Sequence, residues 1–244
     1  MGSMTQRTVA QLALEIPAAA QVFENLGIDY CCGGNKTLEQ ACHAVNLPLE
    51  QVMDSLEAAK PAAQAARPDR DWQTEPLSEL IAHIKDTHHK YTREAISRLV
   101  PLLEKVCSVH ATKHPELLRI SATFGDLAQE LSTHMMKEEL VLFPYIVRLE
   151  EAAIERAPVV PAPFGSVQNP VAMMMHEHDD AGSALRDMRH ASNGYALPAD
   201  ACASYQTLYA ALVEFEADLH QHIHLENNLL FPRAVEMERR QQHV

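Results

Sequence analysis

The stretch HMMKEELVLFP occupies residues 134–144, and HIHLENNLLFP occupies residues 222–232. Both carry a histidine, a glutamate four residues later, a leucine at offset eight and a closing Phe-Pro, 88 residues apart. A hydrophobic core needs none of the polar members of that pattern. On an α-helix, positions i and i+4 differ by only about 40° of rotation, so their side chains stack on one face. His134 with Glu138, and His222 with Glu226, therefore each present an imidazole and a carboxylate side by side.

The apolar spacing says which way that face points. Phe124, Leu127, Leu131, His134, Glu138, Val141 and Tyr145 alternate by threes and fours, as do Tyr205, Leu208, Leu212, Phe215, Leu219, His222, Glu226 and Leu229. A third row runs Val171, Met174, His178, Ala181 and Leu185. The histidines and glutamates lie within core-facing stripes. A buried charge there is costly unless it is paired or bound to a metal. A fourth segment carries THHKY, residues 87–91, and adds His88 or His89; the row Leu77, Leu80, Ile81, Ile84 and Tyr91 points at His88.

The spacing repeats: His89 precedes His134 by 45 residues, and His178 precedes His222 by 44. Each half is a helical hairpin offering one histidine and then H-x-x-x-E. Two such halves around a pseudo-twofold axis supply four histidines and two glutamates, and glutamates can bridge. Mixed imidazole and carboxylate ligation suits iron or manganese better than a thiolate-seeking metal. The repeat thus predicts two ions, one served mainly by each half. Pro144 and Pro232, six residues past the glutamates, each remove a helical hydrogen bond and should kink their helices, which either shapes the metal end or serves packing alone. His176, His220 and His224 flank the stripes, and Glu130 and Glu177 read as exposed acids that could otherwise orient ligands. His43, His110, His114, His190 and His243 read as solvated.

The predicted fold is all-α: a small N-terminal helical domain over 4–60, a linker over 61–76, and an antiparallel four-helix bundle over 77–241. Its long helices fall near 77–107, 115–156, 168–190 and 198–241. Few aromatics (5%) and only 8 glycines favour helices. In the first domain, a helix stops near Pro17, another closes on Gly27, and Thr37 with Gln40 has capping-box spacing. Residues 60–76 are rich in Ala, Pro and charge, without periodicity.

A formal charge of −13 argues against a nucleic-acid partner. No apolar run approaches about 18 residues, so no membrane span is expected. Met1, Gly2 and Ser3 read as an expression scar, and no secretory signal is visible after them. Five scattered cysteines make no disulfide framework and suit a reducing compartment such as the cytoplasm. Cys42, Cys107 and Cys202 read as inert.

The bundle residues resemble those of a hemerythrin-like di-iron bundle. More closely, nearly all of residues 5–236 resemble the iron–sulfur cluster repair di-iron (RIC) family. The resemblance rests on LALEIPAAAQVFENLGIDYCCGG in the first domain, and on STHMMKEELVLFP, MHEHDDAG and HIHLENNLLFPRA in the bundle. It implies a cytoplasmic protein holding two non-haem iron ions in an oxo- or carboxylate-bridged centre. It also implies a part in recovery from nitric oxide and oxidative stress, with damaged iron–sulfur proteins as partners. The family's ligands fall on His89, His134, Glu138, His178, His222 and Glu226. Its motif selects His89 where the apolar row points at His88.

The vicinal pair Cys31–Cys32, ahead of Gly33-Gly34, admits several roles: a redox or iron-transfer thiol pair, a transient metal ligand, or a partner contact. The plain alternative is two small residues packed in a turn. Three functions compete. One is cluster repair by iron donation. The second is reduction of nitric oxide, with two adjacent metals holding two molecules close together. The third is a sensor or store of O₂ or NO. The thiol pair weighs against a pure carrier, and the absence of a flavin fingerprint leaves a reductase without a visible electron source. A homodimer is left open.

Overall fold

The computed structural model describes residues 4–16, 18–65, 70–158 and 162–241. Met1, Gly2, Ser3, Pro17, His243 and part of the expected linker lie outside the described residues. Helices account for the regular structure, and no strand occurs among the described residues.

Thr8 starts α1 (Val9–Glu15) through a reciprocal capping box with Gln11, a signal the sequence reading passed over. α2 (Ala19–Leu26) ends on Gly27, whose φ of +66° is the left-handed conformation that glycine adopts without a Cβ clash. The Thr37–Gln40 box opens α3 (Leu38–Ala44) as expected. α4 runs from Leu49 to Ala65, into the stretch expected as linker. These elements share a small core built on Leu12, Phe23, Tyr30, Leu38, Val52 and Leu56. Residues 70–76 lie against the bundle: Arg233 donates to the carbonyls of Trp72 (2.9 Å) and Glu75 (2.6 Å), and Trp72 stacks on His83.

Four long rods make up the bundle. The first comprises α5 (Leu77–His83), a π-helical turn (Ile84–His89) and α6 (Lys90–His110). The second comprises α7 (Glu116–Lys137), a π-helical turn (Glu138–Leu142) and α8 (Phe143–Glu155). The third is α9 (Gln168–Ala191) alone. The fourth comprises α10 (Ala203–Leu225), a π-helical turn (Glu226–Leu230) and α11 (Phe231–Gln241). α6 packs against α7 and α10, α7 against α9, and α8 against α5 and α11.

Each π turn adds a residue to its helical turn and rotates the residues beyond it, and such turns cluster at functional sites. Three expectations change for this reason. Val141, expected inward, is exposed at 47%, and Leu142 is buried instead. Tyr91 is half-buried, and Thr92 takes the inward place. The row through Ile84 reaches His89 rather than His88. Pro144 and Pro232 fall just after the second and fourth rods' π turns, where the missing N–H meets the switch back to α-helix.

Two apolar cores fill the bundle, one above and one below the histidines and glutamates. One joins α6, α7, α9 and α10 through Leu99, Phe124, Leu185 and Phe215. The other joins α5, α8, α11 and the start of α9 through Leu80, Ile146, Met174 and Phe231. The twofold relation extends to the rod ends. Glu150 on α8 accepts from the backbone N–H of Leu77 (2.6 Å) and Ser78 (2.9 Å), satisfying the start of α5. Glu238 on α11, again 88 residues on, accepts from Val167 N–H (2.9 Å) and Ser166 (2.6 Å) at the start of α9, and from Tyr145 (2.8 Å) on α8. Both carboxylates meet the unsatisfied N–H groups and the positive end of a helix dipole.

The YCCGG loop is seated on the bundle. Cys31 joins the α6–α10 core, and Cys32 Sγ lies 3.5 Å from the carbonyl oxygen of His178. Glu24 pairs with His220 at 2.7 Å, and Asn228 donates to the carbonyls of Tyr30 and Cys31. A Cβ on Gly34 would lie 2.8 Å from both Asn228 Oδ1 and the Tyr30 carbonyl oxygen, so only glycine permits this approach.

Candidate metal centre

His89, His134, Glu138, His178, His222 and Glu226 meet between the two cores, all 0–2% exposed. They form two overlapping groups that share both glutamates: His89, His222, Glu138 and Glu226, and His134, His178, Glu138 and Glu226. Glu138 places Oε2 3.3 Å from His89 Nε2 and Oε1 3.3 Å from His134 Nε2. Glu226 places Oε1 3.1 Å from His222 Nε2 and Oε2 3.1 Å from His178 Nε2. Each carboxylate thus spans the two groups, one oxygen to each.

The division of labour differs from the expectation. Each group takes one histidine from each hairpin, because His89 faces α10 and His134 faces α9 across the bundle. The outcome is two shared positions rather than one position per half.

Atoms other than the expected ligands set the ring orientations. His89 Nδ1 meets Glu139 Oε1 at 2.7 Å, His134 Nδ1 meets Glu177 Oε2 at 2.8 Å, and His178 Nδ1 meets Asn227 Oδ1 at 2.8 Å. Burial would raise the Glu139 and Glu177 carboxyls, but Arg93 with His89, and Lys137 with His134, hold them below the ordinary value. Ionised, they only accept, so the ring nitrogens donate to them and turn the Nε2 lone pairs inward. Glu177, expected as an exposed acid, thus orients the His134 ring, whereas Glu130 is exposed as expected. Glu139 and Asn227 went unnoticed in the sequence, yet each directly follows one of the two central glutamates, and they stand 88 residues apart.

The inward atoms fit cations. His134 and His178 bring their Nε2 atoms to 3.0 Å, and His89 and His222 to 3.2 Å, contacts in which one nitrogen must carry a proton or a cation must lie between the two lone pairs. All four oxygens of Glu138 and Glu226 lack a hydrogen-bond donor of acceptable geometry among the described residues. Six buried side chains thus aim lone pairs at a shared space, which stabilises hard or borderline cations and little else. The electrostatics agree. Burial disfavours a charged His134, but Glu138, Glu226 and Glu177 outweigh it and push its pKa up to about 9. Burial raises both central carboxyls, and Glu226 further raises Glu138, yet His134 and His89 hold Glu138 below its usual range. Against the same burial, His222 and His178 hold Glu226 well below it.

The remaining residues separate cleanly. His88 stands outside the group, with Nδ1 3.0 Å from Asp218. His176 is exposed, His220 pairs with Glu24, and His224 is buried beside Asn228 with its pKa lowered to about 4 by burial. His43 and His190 are exposed as expected. His110 and His114 are engaged rather than free, meeting Cys202 at 3.1 Å and Asp200 at 2.9 Å. All five cysteines are free thiols. Cys31 and Cys32 bring their sulfurs to 3.8 Å above Asp29, whose Oδ1 accepts from the N–H groups of Cys31, Cys32 and Gly33. The Cys32 contact, burial and Asp29 push the Cys31 thiol well above its ordinary pKa.

Fold and centre together define a hemerythrin-type cation-binding bundle, and a Hemerythrin HHE cation binding domain matches residues 80–234. Residues 5–60 match the ScdA_N model, a domain of unknown function. The chain belongs to the iron–sulfur cluster repair protein family. It is 38% identical over 229 residues to the iron-sulfur cluster repair protein YtfE of Pectobacterium atrosepticum, covering 94% of this chain and 96% of that one. It is 36% identical over 233 residues to the YtfE of Musicola paradisiaca, covering 94% and 96%. A probable iron-sulfur cluster repair protein of Haemophilus influenzae is 35% identical over 233 residues, covering 96% and 98%.

Proposed function

We propose that this chain repairs iron–sulfur clusters damaged by nitrosative or oxidative stress, by holding two iron ions in the buried centre and giving them up to the cluster. The observation that carries this reading is the pair of overlapping two-histidine groups sharing both glutamates, with every inward atom a lone-pair donor. The curated names of its relatives support it. His89, His134, Glu138, His178, His222 and Glu226 are the proposed ligands; such a centre can store iron and bind NO or O₂. The ring-orienting groups Glu139, Glu177 and Asn227 keep the imidazole tautomers committed to the metal.

The proposed division has the YCCGG domain over 4–60, a linker over 61–76 and the bundle over 77–241. Cys31 and Cys32 are assigned the transfer of iron toward the client. With the loop seated, Cys31 is buried and kept protonated, so this role requires the loop to lift from α9. Free thiols fit a cytoplasmic setting.

The test is reactivation. The iron-loaded full chain, incubated anaerobically with an NO-inactivated iron–sulfur enzyme, restores its activity, and the metal-free chain does not. A Cys31→Ser, Cys32→Ser double variant keeps its iron and repairs poorly. Consumption of NO without cluster reactivation would replace this reading with the reductase, and reversible O₂ or NO binding alone would replace it with the sensor.

A further inference from the structure

The two metal positions are related by pseudo-twofold symmetry, and among the outward partners of the ligand histidines that symmetry fails at one place. Each ligand histidine turns Nε2 inward. Three of the four have an outward partner on Nδ1: Glu139 for His89, Glu177 for His134 and Asn227 for His178. His222 has none. Its Nδ1 is buried without a hydrogen-bond partner among the described residues, in a side chain only 1% exposed.

The repeat identifies what stands in the missing partner's place. Glu177 immediately precedes the ligand His178 and reaches across to His134. Its counterpart in the other hairpin is the residue that immediately precedes His89, namely His88. His88 does reach His222, but as a ring on a ring: the centroids are 5.8 Å apart and the planes 7° from parallel. Its own Nδ1 is turned away to Asp218 at 3.0 Å. Stacked in this way, His88 offers the edge nitrogen of His222 no acceptor.

We propose that the two positions are unequal in retention: the ion between His89 and His222 leaves first, and His88 is the positioning residue that sets this difference. An outward acceptor fixes the tautomer and angle of a ligand imidazole and raises its basicity, and losing one typically weakens metal binding about 10–100-fold. When Nε2 binds a metal, Nδ1 carries the proton. On His222 that N–H is a buried donor with no acceptor, so nothing fixes the ring's tautomer and angle or offsets the cost of burying the proton. The position between His134 and His178 carries no such penalty, since both rings have partners. The shared glutamates serve both positions alike, so the difference rests on His222.

This inference rests on the reading of the centre as a two-iron store, and it gives that store an order of release. The experiment uses the full chain loaded anaerobically with ferrous iron, and times iron loss to excess ferrozine. The expected release has two phases of equal amplitude, with rates about 10–100-fold apart. Anomalous diffraction from crystals stopped after the first phase shows iron remaining between His134 and His178. In His88→Gln, the amide oxygen accepts from His222 Nδ1 while its NH₂ donates to Asp218, and the fast phase slows toward the slow one. In Asn227→Leu, His178 loses its partner and the slow phase quickens. A merely structural role for His88 would leave the phases separate in His88→Gln. Release in a single phase, or residual iron between His89 and His222, overturns the proposal while leaving the two-iron reading intact. Failure to take up two ions overturns the store itself.

Discussion

Replacing Glu138 by glutamine should stabilise the metal-free chain and destabilise the metal-loaded one relative to wild type. Without metal, Glu138 and Glu226 are two fully buried carboxylates side by side, and beside them the pKa of His134 is pushed up to about 9. Across this dry cavity Glu226 repels the Glu138 carboxylate. Glutamine at 138 keeps the shape, removes that repulsion, and turns an NH₂ toward the Nε2 lone pair of His89, 3.3 Å from the present oxygen. Removing imperfectly compensated buried charge of this kind commonly gains about 1–4 kcal/mol. Iron reverses the ranking. The wild type gains about 4 kcal/mol at a free-metal concentration a thousand times its dissociation constant. The amide is a neutral, weaker ligand whose NH₂ cannot bridge, so most of that gain is lost. Urea denaturation followed by far-UV circular dichroism, in chelator and again in anaerobic ferrous iron, reads both states. A variant no more stable than wild type in chelator would refute the claim that the centre is electrostatically frustrated without metal.

Glu238→Ala removes the acceptor for Val167 N–H, Ser166 and Tyr145, and should lower stability by about 2–4 kcal/mol in denaturant titration, from stranded donors and a lost helix cap. Metal loading should release protons. The pKa of His134 is raised in the folded, metal-free chain, so this histidine is largely protonated between its ordinary value near 6.5 and about 9, and it must deprotonate to bind. Uptake of about one proton equivalent by the buffer at pH 8, seen by calorimetry in buffers of different ionisation enthalpy, and affinity that falls with pH through this window, are the expected results. The same raised pKa makes charged His134 a stabilising element of the metal-free chain, fully present below 6.5 and lost as pH rises through about 9. Gly34→Ala should push the YCCGG loop off Asn228 and quicken alkylation of Cys31, which in the wild type should react far more slowly than exposed Cys202; mass spectrometry of the labelled thiols reads both.

The centre was legible in the sequence because helical periodicity is local: a histidine and a glutamate four residues apart in an apolar stripe must face the core together. The same locality explains what was missed. A π turn leaves no mark on an apolar pattern that assumes a uniform period, so Val141 was expected inward and the row pointed at His88. Which histidines share a position depends on contacts between helices far apart in sequence, and local spacing says nothing of it. Glu139 with Asn227, and Glu150 with Glu238, were within reach, since both pairs obey the same 88-residue repeat as His134 and His222. The seating of the YCCGG loop on α9 and the π turn after α10 joins residues 146 and 198 apart, through a backbone carbonyl and an asparagine that no motif singles out.

X-ray absorption at the iron K-edge of the loaded full chain tests the central claim most directly. The account predicts a first shell of nitrogen and oxygen only, outer scattering characteristic of imidazole, and a second iron as a near neighbour, with elemental analysis giving two irons per chain for the two groups. Sulfur in the first shell, placing the iron on Cys31 and Cys32, or a single isolated iron with no metal neighbour, would contradict it.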